Sequence, residues 1–124
     1  IDMRSIQFCT ENQMKEFEAK GWLDGVERID GFPVNLHIFR NYLEKYLRNH
    51  PRVNQNMTIM VRQLQPTAQG LPLELYFFSD GTAWIPYEQL QSEIFEHVFA
   101  MLPTFGLRIF QSPMGIDFSG ESFS

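Results

Sequence analysis

The chain has 124 residues, 44% hydrophobic and 20% charged, a length and balance that suit one globular domain and exclude a disordered chain. Ten Lys and Arg against fifteen Asp and Glu give a net charge of −5, a poor footprint for nucleic acid, whose affinity rests on cations meeting phosphates. The longest runs free of Asp, Glu, Lys and Arg, 63–73 and 97–107, are eleven residues each, short of the roughly 20 apolar residues of a spanning helix.

Residues 1–9 put Ile1 and Met3 on one parity and Ile6 and Phe8 on the other, which reads as a strand with a bulge near Arg4 and Ser5. Thr10 and Gln13 form a capping box for a short helix ending at Lys20, with Gly21 as its stop. Gly21, Gly25 and Gly31 mark 21–32 as a connector. Pro33 then opens the best helix, where Leu36, Phe39, Leu43 and Leu47 make one stripe widened by Ile38, Tyr42 and Tyr46. Glu44 and Arg48 stand four apart in the favourable order, and Pro51 closes the helix near Asn49.

Residues 57–64 read as a strand and 65–70 as a turn. Leu71, Leu73, Leu75 and Phe77 alternate without a break, the cleanest strand signal, before a turn at Asp80-Gly81. A second long helix runs over 85–102, with Pro86 in its first turn and Leu90, Ile94, Val98 and Met101 or Leu102 inward. Pro103 and Gly106 end it, 107–111 make a last strand, and the Ser- and Gly-rich residues 114–124 predict a flexible tail. With the short helix set aside, the order is β-α-β-β-α-β. Right-handed crossovers turn that order into an α+β, ferredoxin-like sandwich: a four-stranded antiparallel sheet with both long helices on one face. Residues 1–113 would form that single domain, with 10–32 as an insertion after strand 1 that carries the short helix.

Candidate chemistry is sparse. Cys9 is the sole cysteine, so no intrachain disulfide can form, and on a strand it reads as a small apolar residue rather than a nucleophile. Of His37, His50 and His97, only His97 has a partner at ligand spacing, Glu93, which is half a metal site and reads as a surface helical pair. Ser79 and Asp80 with His97 would make a hydrolytic triad, but no nucleophile elbow or Gly-rich oxyanion turn accompanies them. No phosphate-cradling or dinucleotide-binding glycine motif is present. The stretch from Gly31 to Arg40 resembles the loop-to-helix anion cradle of acylphosphatases, which share this fold and use an Arg at the helix start. Here the 23 residues 10–32 interrupt the motif, the loop has one Gly, and Arg40 lies about two turns into the helix. Asn56-Met57-Thr58 matches a glycosylation acceptor but enters a strand in a chain without a secretory signal. Trp22 and Trp84 read as loop staples. No catalytic, cofactor-binding or metal-ligating residue is assigned.

Several segments in the same order carry a family resemblance. They are Ile1-Asp2-Met3-Arg4-Ser5-Ile6-Gln7-Phe8, Ile38-Phe39-Arg40-Asn41-Tyr42-Leu43 through Tyr46-Leu47-Arg48-Asn49-His50-Pro51, and Met60-Val61-Arg62-Gln63-Leu64. Gly70-Leu71-Pro72-Leu73-Glu74-Leu75-Tyr76, Ile94-Phe95-Glu96-His97-Val98-Phe99-Ala100-Met101-Leu102-Pro103, Phe105-Gly106-Leu107-Arg108 and Gln111-Ser112-Pro113 complete the set. Together they resemble the carboxy-terminal cytoplasmic part of the small-conductance mechanosensitive channel (MscS) family, in its YbdG-like branch.

The resemblance implies a homo-heptameric channel of the bacterial inner membrane that opens under tension. Its cytoplasmic cage is built from a β domain and, below it, an α/β domain like this one. Ions pass the cage through side portals, and neither catalysis nor a cofactor is implied. Residues 1–9 would end a long strand descending from a β domain outside this sequence, so a chain starting at Ile1 is expected to be an excised, soluble piece of a membrane protein. Its partners would be the other subunits and the passing ions, on the cytoplasmic side and without contact with nucleic acid or bilayer. The insertion 10–32 and a tail without a clear strand depart from the shorter members. Trp22 and Phe32 are expected to seat the insertion outside the cage wall or against a neighbour. From residue 51 onward three basic residues face seven acidic ones, and Glu88, Glu93 and Glu96 are expected to concentrate cations at the portals. The alternative is a stand-alone ferredoxin-like regulatory or acylphosphatase-like domain that binds a small anion near Arg40.

Overall fold

A computed structural model describes residues 1–26, 31–81 and 87–111 of the chain. Local sequence rules place its helices. In α1 (Glu11–Ala19) the Thr10 hydroxyl accepts from the Gln13 N–H at 3.1 Å and the Gln13 side chain accepts from the Thr10 N–H at 2.8 Å, the reciprocal box expected there. In α2 (Asn35–Arg48) Leu36, Ile38, Phe39, Leu43 and Leu47 are all buried, and Arg48 pairs with Glu44 at 3.1 Å on the wet side. In α3 (Tyr87–Met101) Leu90, Ile94 and Val98 point inward. Its expected first residues, Ile85 and Pro86, lie outside the described residues. The chain then tightens into a 3-10 turn over Leu102–Phe105, and Gly106, at φ +73°, lets Leu107 N–H reach back to Leu102 O at 3.0 Å.

The sheet among the described residues has two antiparallel strands, β1 (Met60–Gln63) and β2 (Leu73–Tyr76), in register Met60↔Tyr76 to Gln63↔Leu73. Arg62 and Glu74 pair across its exposed face at 2.6 Å, while Val61 and Leu75 face the helices. Isolated bonds prolong the hairpin at both ends, from Leu64 N–H to Pro72 O at 2.9 Å and from Asn54 N–H to Phe78 O at 2.8 Å.

The fold is therefore α+β, and no four-stranded sheet is seen among the described residues. Residues 1–9, expected as a strand, instead make a 3-10 turn at Met3–Ser5 followed by a single bridge, Phe8↔Val34. The cause is local. The Asp2 carboxylate accepts the Arg4 N–H at 3.0 Å, and the Ser5 hydroxyl donates to Asp2 O at 2.6 Å, so short polar side chains draw the backbone out of ladder geometry. Residues 107–111 form no strand either, because the neighbour they would pair with has turned away. One bond remains, Asp2 N–H to Arg108 O at 2.8 Å. On the other side Ile1 and Leu71 exchange both backbone bonds, each 2.8 Å.

One core joins the inward faces of the helices to one face of the hairpin through Ile59, Val61, Leu71 and Phe77. Phe105 sits at its centre, with the rings of Phe17, Trp22, Phe39 and Tyr42 all within 5.3 Å of its own. Burial of such aromatic area dominates core energetics. Asn35 is one of three buried polar residues, with Asp2 and Ser5: its amide donates to Ser5 O and Phe105 O, and its Oδ1 accepts the Gln7 N–H. Three chain segments are thereby pinned at the start of α2. Gly70 is required where the chain passes Ile1, since its φ is +100° and a Cβ there would stand 2.5 Å from Ile1 O.

Candidate functional site

The residues with chemical potential are dispersed. Cys9 is buried, and burial pushes its thiol above the usual range, away from thiolate reactivity. His97 lies between α2 and α3, with Nε2 on Tyr42 Oη at 2.6 Å and its ring flat against Tyr46 at 4.0 Å. Burial, then the nearby His50, holds the pKa of His97 below that of an ordinary histidine. His50 is also shifted downward, by burial and by Arg52, with Glu93 opposing. Its Nδ1 accepts the Arg52 N–H. Glu93 pairs with the Arg52 guanidinium, so the expected Glu93 and His97 pair is drawn to two different partners. Among the described residues no three His, Cys, Asp or Glu side chains gather as a metal site.

The three residues of the imagined hydrolytic triad have these contacts. Ser79 bridges Val53, Asp80 N–H bonds to Arg52 O, and His97 uses Nε2 on Tyr42. Asn56, Met57 and Thr58 precede β1 on exposed backbone rather than entering the strand, and the Asn56 N–H is held by Asn54 Oδ1. Trp22 stacks on Phe105 at 5.0 Å and fastens the loop after α1 to the core, whereas Trp84 lies outside the described residues. With Phe17 and Met14 also buried, the described part of the insertion packs into the chain's own core, while Phe32 is left 48% exposed. Arg40 lies in the second turn of α2, its Nη2 at 3.2 Å from His37 Nδ1.

The most prominent surface feature is apolar. Phe95 and Phe99, one turn apart on the outer face of α3, are 41% and 54% exposed, with ring centroids 6.3 Å apart. Ile109 nearby is 47% exposed, and Phe99, Ile109, Pro103 and Leu107 border a shallow depression of about 310 Å³. Clustered exposed aromatics are the usual mark of a contact surface. The sequence carried a signal for them: the α3 stripe of Leu90, Ile94 and Val98 already fills the inward face, which leaves Phe95 and Phe99 at solvent positions.

No helix among the described residues is long and apolar enough to cross a membrane. No protein-family model matches the chain, and no solved structure matches it.

Proposed function

We propose that the chain is the α/β cage domain of a tension-gated ion channel of the MscS family, in its YbdG-like branch, with a structural and assembly role and no catalysis. The observation that carries this reading is the Phe95, Phe99 and Ile109 surface, an apolar face left exposed among the described residues that a neighbouring subunit would cover. The resemblance over residues 1–113 supplies the family.

Backbone bonding supports the finer, ferredoxin-like part of the reading. Ile1 and Asp2 lie between Leu71 on one side and Arg108 on the other. With β1 beyond β2, these bonds are compatible with the neighbour order that a four-stranded β-α-β-β-α-β sheet would have. In the assembled protein, residues preceding Ile1 would continue that strand beside 73–77. Glu88 and Glu96, exposed on α3, would bias the portals toward cations, whereas Glu93 is tied to Arg52.

The test is electrical. The protein encoded by the complete gene, expressed in bacteria stripped of their own mechanosensitive channels, is expected to give stepwise currents when suction is applied to a membrane patch. Patches that stay silent up to rupture, with the protein present in the membrane, would defeat the reading.

A further inference from the structure

The start of α2 opens onto a groove of about 540 Å³, within the size range of small-molecule sites. Ile6, Val34, Leu36 and Leu71 line its apolar body, and Arg40 and His37 its polar end. No Asp or Glu among the described residues lines it, although the chain carries fifteen acids against ten bases.

Arg40 differs from the other described arginines. Arg4, Arg48, Arg52, Arg62 and Arg108 each reach a carboxylate, and Arg40 reaches none among the described residues. Its guanidinium meets His37 Nδ1 at 3.2 Å, and its Nε is buried without a hydrogen-bond partner. A guanidinium can only donate, so His37 Nδ1 accepts, the imidazole is neutral, and its proton on Nε2 remains to be given. Val34 precedes α2 without a side-chain cap, so the positive pole of a 14-residue helix adds to the potential at the same end. A cation beside that pole with no carboxylate partner among the described residues is unfavourable by itself, and an anion in the groove relieves that charge.

The occupant's chemistry follows from the count of groups. One guanidinium beside one neutral imidazole suits a single negative charge, and the planar guanidinium fork suits a carboxylate. The remaining walls suit an alkyl or aryl body. We propose that this groove binds a monocarboxylate with an apolar body, its carboxylate on Arg40 and His37 and its apolar part along Ile6, Val34, Leu36 and Leu71. The site stands on the groove alone and is independent of the cage reading.

The test titrates the 15N-labelled 124-residue chain with octanoate, and with 1-octanol as the uncharged control, followed by amide chemical shifts. Octanoate is expected to shift Val34, Leu36, His37, Arg40 and Leu71 saturably and to bind at least about tenfold more tightly than octanol. Arg40→Leu is expected to erase that preference while leaving octanol binding unchanged, and Arg40→Lys to keep part of it. Shift dispersion reports whether each variant is folded, and Arg40→Lys carries the test if Arg40→Leu is not. Equal binding of octanoate and octanol, full affinity in the folded Arg40 variants, or shifts centred on Phe95 and Phe99 would each overturn the proposal. So would anionic phosphatidylglycerol vesicles shifting these residues where octanoate does not, since the ligand would then be a lipid headgroup.

Discussion

Phe99 and Phe105 are six residues apart and meet opposite environments. Phe105 has no exposed surface and touches four aromatic rings, while Phe99 is 54% exposed and has Phe95 as its ring neighbour. The contrast extends to the backbone. Around Phe105 the polar groups are closed off, with Asn35 serving three backbone partners. In β2 the bond from Leu64 to Pro72 sets the alternation of the ladder, so Leu73 and Leu75 turn their N–H and C=O away from β1. Leu71, on that same edge, is met by Ile1, and among the described residues Leu73 and Leu75 have no strand partner on that edge. A two-stranded sheet has little stability of its own. One region is thus complete within the chain, and the other offers an apolar face and a strand edge for something else to cover.

That contrast can be broken from either side. The largest effect is expected at the closed centre. Phe105→Ala should cost about 3–5 kcal/mol, read from urea unfolding, because it leaves a cavity among four rings that cannot all collapse inward. Asn35→Ala is next, at about 2–3 kcal/mol in the same measurement, since it strands the buried Ser5 and Phe105 carbonyls and frees the partly buried Gln7 N–H. Gly70→Ala should cost about 1–3 kcal/mol and speed amide exchange at Leu71, because its Cβ would collide with Ile1 O.

A smaller effect is expected from pH. Folding lowers the pKa of His97 and of His50 from 6.5, His97 by burial first and then by His50, and His50 by burial first and then by Arg52. The unfolded chain therefore takes these protons first. Their contribution is fully present above about pH 6.5 and is lost as pH falls toward the folded values. The urea midpoint should drop between about pH 7.5 and pH 5.5, and the double variant His50→Gln/His97→Gln should drop less. The smallest effect belongs to the open face: Phe95→Ala and Phe99→Ala should each leave the stability of the chain within about 0.5 kcal/mol of the parent.

The helices were legible because their causes are local. The Thr10 and Gln13 box and the Leu36, Phe39, Leu43 and Leu47 stripe each act within a few residues, and both appear in the structure. The sheet was legible in its hairpin, though β1 covers 60–63 rather than 57–64 and β2 covers 73–76 rather than 71–77. The outer strands failed for a stated reason. The parity break at Arg4 and Ser5 marks the Met3–Ser5 turn, and losing that strand leaves 107–111 with one backbone–backbone bond to it, from Asp2 to Arg108. Long-range polar contacts were not legible. Tyr42 meets His97 across 55 positions and Asn35 meets Phe105 across 70, separations that no window along the chain can join. Arg40 was visible as a cation near a helix start, but its missing carboxylate and buried Nε required the packed structure.

The central claim is that the open face is completed by copies of the same chain in a ring. Native mass spectrometry of the protein encoded by the complete gene, held in lipid nanodiscs, tests it most directly. Seven copies are expected, with the ring weakened by Phe95→Ser/Phe99→Ser although the isolated 124-residue chain carrying the same changes stays folded. A monomer or dimer, or a seven-membered ring indifferent to those two changes, would contradict the account.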